Sequence, residues 1–86
     1  MPIYKVWFKS KDADSSRFEV IDAAVEFERF CAAIDQDSRI TGERLMTRRD
    51  PEVRGVQIVM RRVQTTFLGG AVDRVEVACE RFEEAA

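Results

Sequence analysis

Arginine is the side chain with which this sequence could do chemistry. Arg48-Arg49 and Arg61-Arg62 form two pairs on either side of a turn, within the stretch Arg44 to Gln64, RLMTRRDPEVRGVQIVMRRVQ. Guanidinium groups at that density hold carboxylates or phosphates through paired N–H donors. Residues 39–62 carry seven arginines against Glu43, Asp50 and Glu52, a local excess of +4 in a chain whose formal net charge is −2. The flanks are acidic, with five basic against eight acidic groups in 1–38, and Arg74 and Arg81 against five acids in 63–86. Such asymmetry speaks about partners and solubility rather than about fold.

Two absences narrow the chemistry further. The chain has no histidine and no asparagine. That removes serine–histidine and cysteine–histidine nucleophile pairs, histidine metal ligands and N-glycosylation acceptors. Cys31 and Cys79 lie far apart and outside any CxxC or metal-ligand spacing, so they read as small reduced hydrophobes on helix faces. A disulfide between them would need those two helices side by side. Asp12-Ala13-Asp14 and Asp35-Gln36-Asp37 each offer two oxygens to magnesium but no third ligand in phase, which is ordinary for polar loops. Gly69-Gly70 before a helix would suit an anion, yet no P-loop lysine follows and Asp73 would repel phosphate. A cap or loop role fits it better. The sequence therefore implies no cofactor and no metal.

The elements that must position the arginines follow from periodicity. Ile3 to Lys9 alternates as a strand, with Tyr4, Val6 and Phe8 on one face and Lys5, Trp7 and Lys9 on the other. Lys11 to Ser16 is a polar turn, and Arg17 to Ile21 a second strand, against the alternative of a helix reaching back to Ser15. Asp22 suits an N-cap for a helix over Ala23 to Asp35, whose apolar face is Ala23, Phe27, Phe30, Cys31 and Ile34. Gln36 to Gly42 connects to a hairpin with its turn at Asp50-Pro51-Glu52, and either Leu45 or Met46 points inward.

After Gly69-Gly70, the 3, 4, 3, 4 spacing of Val72, Val75, Cys79, Phe82 and Ala86 predicts a second helix over Ala71 to Glu84. Its last turn would place Glu80, Glu83 and Glu84 where a helix end repels negative charge, so they would gain from a nearby arginine. The competing reading makes Gly69-Gly70 a hairpin turn and Arg74 to Glu80 a strand through Val75, Val77 and Cys79. The favoured order is ββαββα. It describes one α+β domain over 1–86, a two-layer sandwich in which two helices cover one face of a four-stranded antiparallel sheet.

The other face of that sheet would be open. It is expected to display Lys5, Trp7 and Lys9, then Arg44, Met46 and Arg48, then Val59, Arg61 and Val63, and the neighbouring Arg49 and Arg62 complete the candidate binding residues. An apolar patch rimmed by arginines suits a protein partner, including a second copy of the chain as a homodimer. The function expected is a small non-enzymatic interaction module, a regulator or inhibitor of a larger protein machine. An aromatic ring among cations also suits stacked bases and phosphates, so nucleic-acid binding is the alternative, although a sequence pI near 5.2 counts against it. No apolar run approaches a membrane span or a signal-peptide core, which makes the cytoplasm the expected compartment and a membrane an unexpected partner.

The opening Met-Pro-Ile-Tyr supports a third reading. It resembles tautomerase-like proteins, in which an amino-terminal proline exposed by methionine removal opens a β-strand and acts as general base. The resemblance implies Pro2 as the base, with arginines such as Arg39, Arg44 or Arg61 holding a substrate carboxylate. It covers Pro2-Ile3 and, loosely, the strand leading into Phe67-Leu68-Gly69-Gly70. The long arginine-rich hairpin departs from that family's compact strand–helix–strand unit.

Overall fold

A computed structural model of the chain describes residues 2–9 and 17–85. The expected turn over Lys11 to Ser16, the Asp12–Asp14 pair and Ala86 lie outside the described residues. Alternation builds β1 (Ile3–Phe8), in which Tyr4 and Val6 are fully buried. Five further strands follow: β2 (Glu19–Ala23), β3 (Arg39–Arg49), β4 (Val56–Leu68), β5 (Val72–Val77) and β6 (Arg81–Glu84). One α-helix is present among the described residues, α1 (Phe27–Asp35), and a single 3₁₀ turn, Gly69–Ala71, joins β4 to β5.

The sheet runs β5-β1-β2-β3-β4-β6, antiparallel except for the parallel pair of β4 with β6. This corrects the expected four-stranded antiparallel sheet with two helices on one face. The domain is α+β, with a six-stranded mixed sheet and one helix. The stretch expected to be a second helix, 71–84, instead supplies both edge strands. Val72, Val75 and Val77 are β-branched and suit a strand. β5 then covers the outer edge of β1, and β6 covers that of β4, at Val56 to Val59.

Two boundaries move for the same reason. Asp22 caps no helix, because Ile21, Asp22 and Ala23 lie in β2, paired with β3 on one side and, at Ile21 and Asp22, with β1 on the other. The helix therefore starts at Phe27, after Glu26, and no side chain caps it. The connection to β3 shrinks to residues 36–38, with Asp37 in the left-handed region at φ 50° and Ser38 N–H donating to Ala33 O at 2.9 Å. Cys79 sits in the β5–β6 link rather than on a helix, and both cysteines are free thiols.

The sheet is rolled. Residues 78–80 join β5 to β6, and such a link spans at most about 15 Å. Flat, the two edges would stand about 24 Å apart. On the side that carries α1 the sheet is concave, since the rings of Phe8 on β1 and Phe67 on β4 meet edge-on at 5.0 Å although two strands lie between them. Phe30 from α1 fills that concavity with no exposed surface, 4.8 Å from the ring of Tyr4, among Val6, Ile21, Ala23, Ile40 and Val72. Burial of Phe30 contributes about 2–3 kcal/mol.

β3 and β4 outrun the roll as a long hairpin. Its turn covers 50–55, where Asp50 Oδ1 accepts from the Glu52 and Val53 amides at 2.8 and 3.3 Å and Gly55 supplies φ 81°. Met46 pairs with Arg61 and Thr47 with Val59, so Met60 is an extra residue in a β-bulge.

Candidate functional site

Strand register decides which of the expected surface residues meet. Partners across an antiparallel pair share a face. The row Tyr4–Ile21–Arg44–Val63 therefore places Arg44 and Val63 on the face that α1 covers at its other end. Met46 with Arg61, and Arg48 with Ile58, lie on the same side by alternation. Lys5, Trp7, Asp22, Glu43 and Arg62 take the opposite, outer side, and after the bulge Val59 and Arg49 follow them. The ten residues expected on one surface are thus divided between two, and Leu45 rather than Met46 is buried.

The outer group is largely occupied by the protein itself. Trp7 is 8% exposed. The Arg74 guanidinium stacks on its ring at 3.9 Å from the centroid, and Phe18 packs against it at 5.2 Å. Its Nε1 is buried without a hydrogen-bond partner among the described residues. Lys5 lies 5.1 Å from the Phe18 centroid and pairs with Glu80 at 2.9 Å, a hydrogen bond that pulls the Glu80 carboxyl below its ordinary range. Val59 is buried at 2% exposure. Lys9 is exposed at the end of the strand, where its backbone N–H donates to Ala71 O at 2.9 Å.

Arg62 is the hub of an ion network. It meets Asp22 at 3.1 Å, Glu43 at 3.2 Å and Glu84, to which its Nε donates at 2.8 Å. Bonds to Glu84 and Asp22 raise its already high pKa, so it is a fixed cation. It ties β4 to β2, β3 and β6.

The hairpin face differs. Met46 is 46% exposed, with Ile58 and Val63 half-buried on the same side, and Met60, the bulge residue between Val59 and Arg61, is 52% exposed. Arg44 pairs with Glu19 at 3.1 Å. Arg48, Arg49, Arg54 and Arg61 have no carboxylate at ion-pair distance among the described residues. An open groove of about 380 Å³ lies where β2 meets this face, lined by Phe18, Glu19, Val20, Arg44, Leu45, Met46 and Thr47. Met60 and Glu19 had not been expected here, since neither a bulge nor a long-range register is visible in local periodicity.

The remaining sequence features have structural surroundings. Asp37 Oδ1 accepts from the Gly70 amide at 2.7 Å, which uses both the aspartate and the glycine pair to dock the 3₁₀ turn. Among the described residues no group of three or more His, Cys, Asp or Glu side chains is placed to hold a metal ion. No helix among the described residues is long and apolar enough to cross a membrane. Pro2 is exposed beside a pocket of about 410 Å³ that Glu80, Arg81 and Phe82 help to line, whereas Arg39, Arg44 and Arg61 do not line it. Comparison with protein-family models, curated proteins and solved structures finds no match.

Proposed function

We propose that this chain is a small non-enzymatic protein-binding module, a regulator or inhibitor of another protein, and that it makes contact through the hairpin face of Arg44, Met46, Arg48, Met60, Arg61 and Val63. One observation carries the reading. On the outer side Lys5, Arg62 and Arg74 are engaged by carboxylates or by Trp7, with Arg49 at the hairpin's end the exception, whereas on the hairpin face Arg48 and Arg61 lie near exposed Met46 with no carboxylate at ion-pair distance among the described residues. Adaptable apolar side chains rimmed by arginine are the composition of a contact surface.

The partner is an acidic protein of another kind. Two-fold pairing of this face with a second copy would bring like charges together, so self-association through it is disfavoured. Nucleic acid is supported less well, because Trp7, the ring expected to stack on bases, is covered by Arg74 and Phe18 on the opposite side. The test is crosslinking capture from nuclease-treated cell extract with the native chain, with Arg48→Glu/Arg61→Glu, and with Arg29→Glu on the helix as control. Proteins held by the native chain and the helix variant but lost from the hairpin variant are expected. Identical capture by all three, or capture abolished by nuclease, would sink the reading.

A further inference from the structure

We propose that the hairpin face receives an amphipathic α-helix of the partner, apolar along one stripe and acidic on its flanks; this rests on the reading of the hairpin as a protein-binding surface. The backbone dictates the first half. β3 and β4 are paired with each other from Arg39 to Arg49, so the hairpin's face presents side chains, and its unpaired backbone groups lie along its two edges, where β3 runs past β2 and β4 runs past β6. A segment laid on it loses water from its own backbone, and unpaired buried backbone groups are costly. An extended segment gains its backbone partners only at a sheet edge. A helix brings its own. The same face already accepts one helix where Phe30 of α1 packs near Ile40 and Phe67.

Charge and shape dictate the second half. Arg44 and Arg48 on β3 and Arg61 on β4 border Met46, Ile58, Met60 and Val63. Acidic side chains flanking an apolar stripe would meet both. From Arg44 to Arg48 the strand advances about 13 Å, which matches two to three helical turns at about 5.4 Å each. Methionine side chains adapt to a stripe whose spacing they were not cut to fit.

The probes are three synthetic peptides of equal length: a leucine–glutamate peptide with apolar residues at helical spacing, a scrambled peptide of the same composition without the stripe, and polyglutamate. Methyl NMR of Met46 and Met60 reports the site, and circular dichroism reports the peptide's conformation. The striped peptide is expected to shift both methyls, gain helicity on binding, and bind at least about tenfold more tightly than the scrambled one. Arg48→Glu/Arg61→Glu should weaken it roughly tenfold, while Arg29→Glu leaves it unchanged. If scrambled or extended peptides shift Met46 and Met60 equally well, the helix is overturned and the binding surface stands. If no peptide moves either methyl, both readings fall.

Discussion

Arg62 on β4 reaches past β3 to place a guanidinium nitrogen 3.1 Å from Asp22 Oδ2 on β2. The Asp22 side chain is only 5% exposed, and its other oxygen has no hydrogen-bond partner among the described residues. The charge of Asp22 is therefore tolerable because of one residue forty positions away. Arg61, the preceding residue, faces the other way and touches no carboxylate among the described residues.

Arg62→Ala should accordingly cost about 2 kcal/mol, below the full value for a buried pair because Arg62 itself is about a third exposed. Arg61→Ala should change stability by no more than about 0.5 kcal/mol. Urea denaturation of the two variants makes the comparison; equal losses would mean that the network contributes nothing.

Close approach sets a second contrast. A Cβ on Gly69 would stand 2.0 Å from Ala33 O, a backbone atom of α1, so Gly69→Ala must push the 3₁₀ turn off the helix. The expected cost is about 3 kcal/mol or more. Gly55 has open space but φ 81°, and Gly55→Ala should cost about 1 kcal/mol from backbone strain alone. Thermal unfolding ranks the pair, and the reverse order would contradict the packing.

Tyr4, the single tyrosine, donates its hydroxyl to Val25 O at 2.5 Å. Burial first, and then the nearby Cys31 and Glu26, raise its pKa above 10.0. The folded chain thus keeps this proton longer than the unfolded one. Its contribution is complete below pH 10.0 and is lost as pH rises through the folded value. Tyrosinate absorbance should appear later in the native protein than in urea. Coincident titration curves would refute the burial argument.

Glu80 works in the opposite sense. Lys5 lowers its pKa from 4.5, so between that and the folded value the unfolded chain binds more protons. Its stabilisation is present above pH 4.5 and fades as pH falls through the lowered value. Glu80→Gln should flatten the acid limb of the stability curve and leave the alkaline limb unchanged. An unaltered acid limb would show that the Lys5 pair is not coupled to folding.

Much of the local organisation was legible from residue order. Alternation in Ile3 to Phe8 marked β1, the spacing of Phe27, Phe30 and Ile34 marked an amphipathic helix, and the arginine-rich hairpin stood out by charge. The segment 71–84 was not legible, because Val72, Val75 and Phe82 satisfy a helical stripe while β-branched residues among them also suit a strand. The choice went to the strand since β1 and β4 each had an edge for it to cover. The candidate surface was half legible. Arg44, Met46, Arg48 and Arg61 share a face, but it is the side that carries α1 rather than the uncovered reverse expected for them, and Lys5, Trp7, Val59 and Arg62 do not join them.

Residue order by itself established an arginine-rich ribbon with acidic flanks and a chain without histidine or asparagine chemistry, because charge and composition are properties of near neighbours. Which arginines remain free was settled only in three dimensions. Successive side chains on a strand point to opposite sides, and the bulge at Met60 resets that alternation. Arg61 and Arg62 are chemically identical neighbours, and the rolled sheet alone gives one to solvent and the other to Asp22.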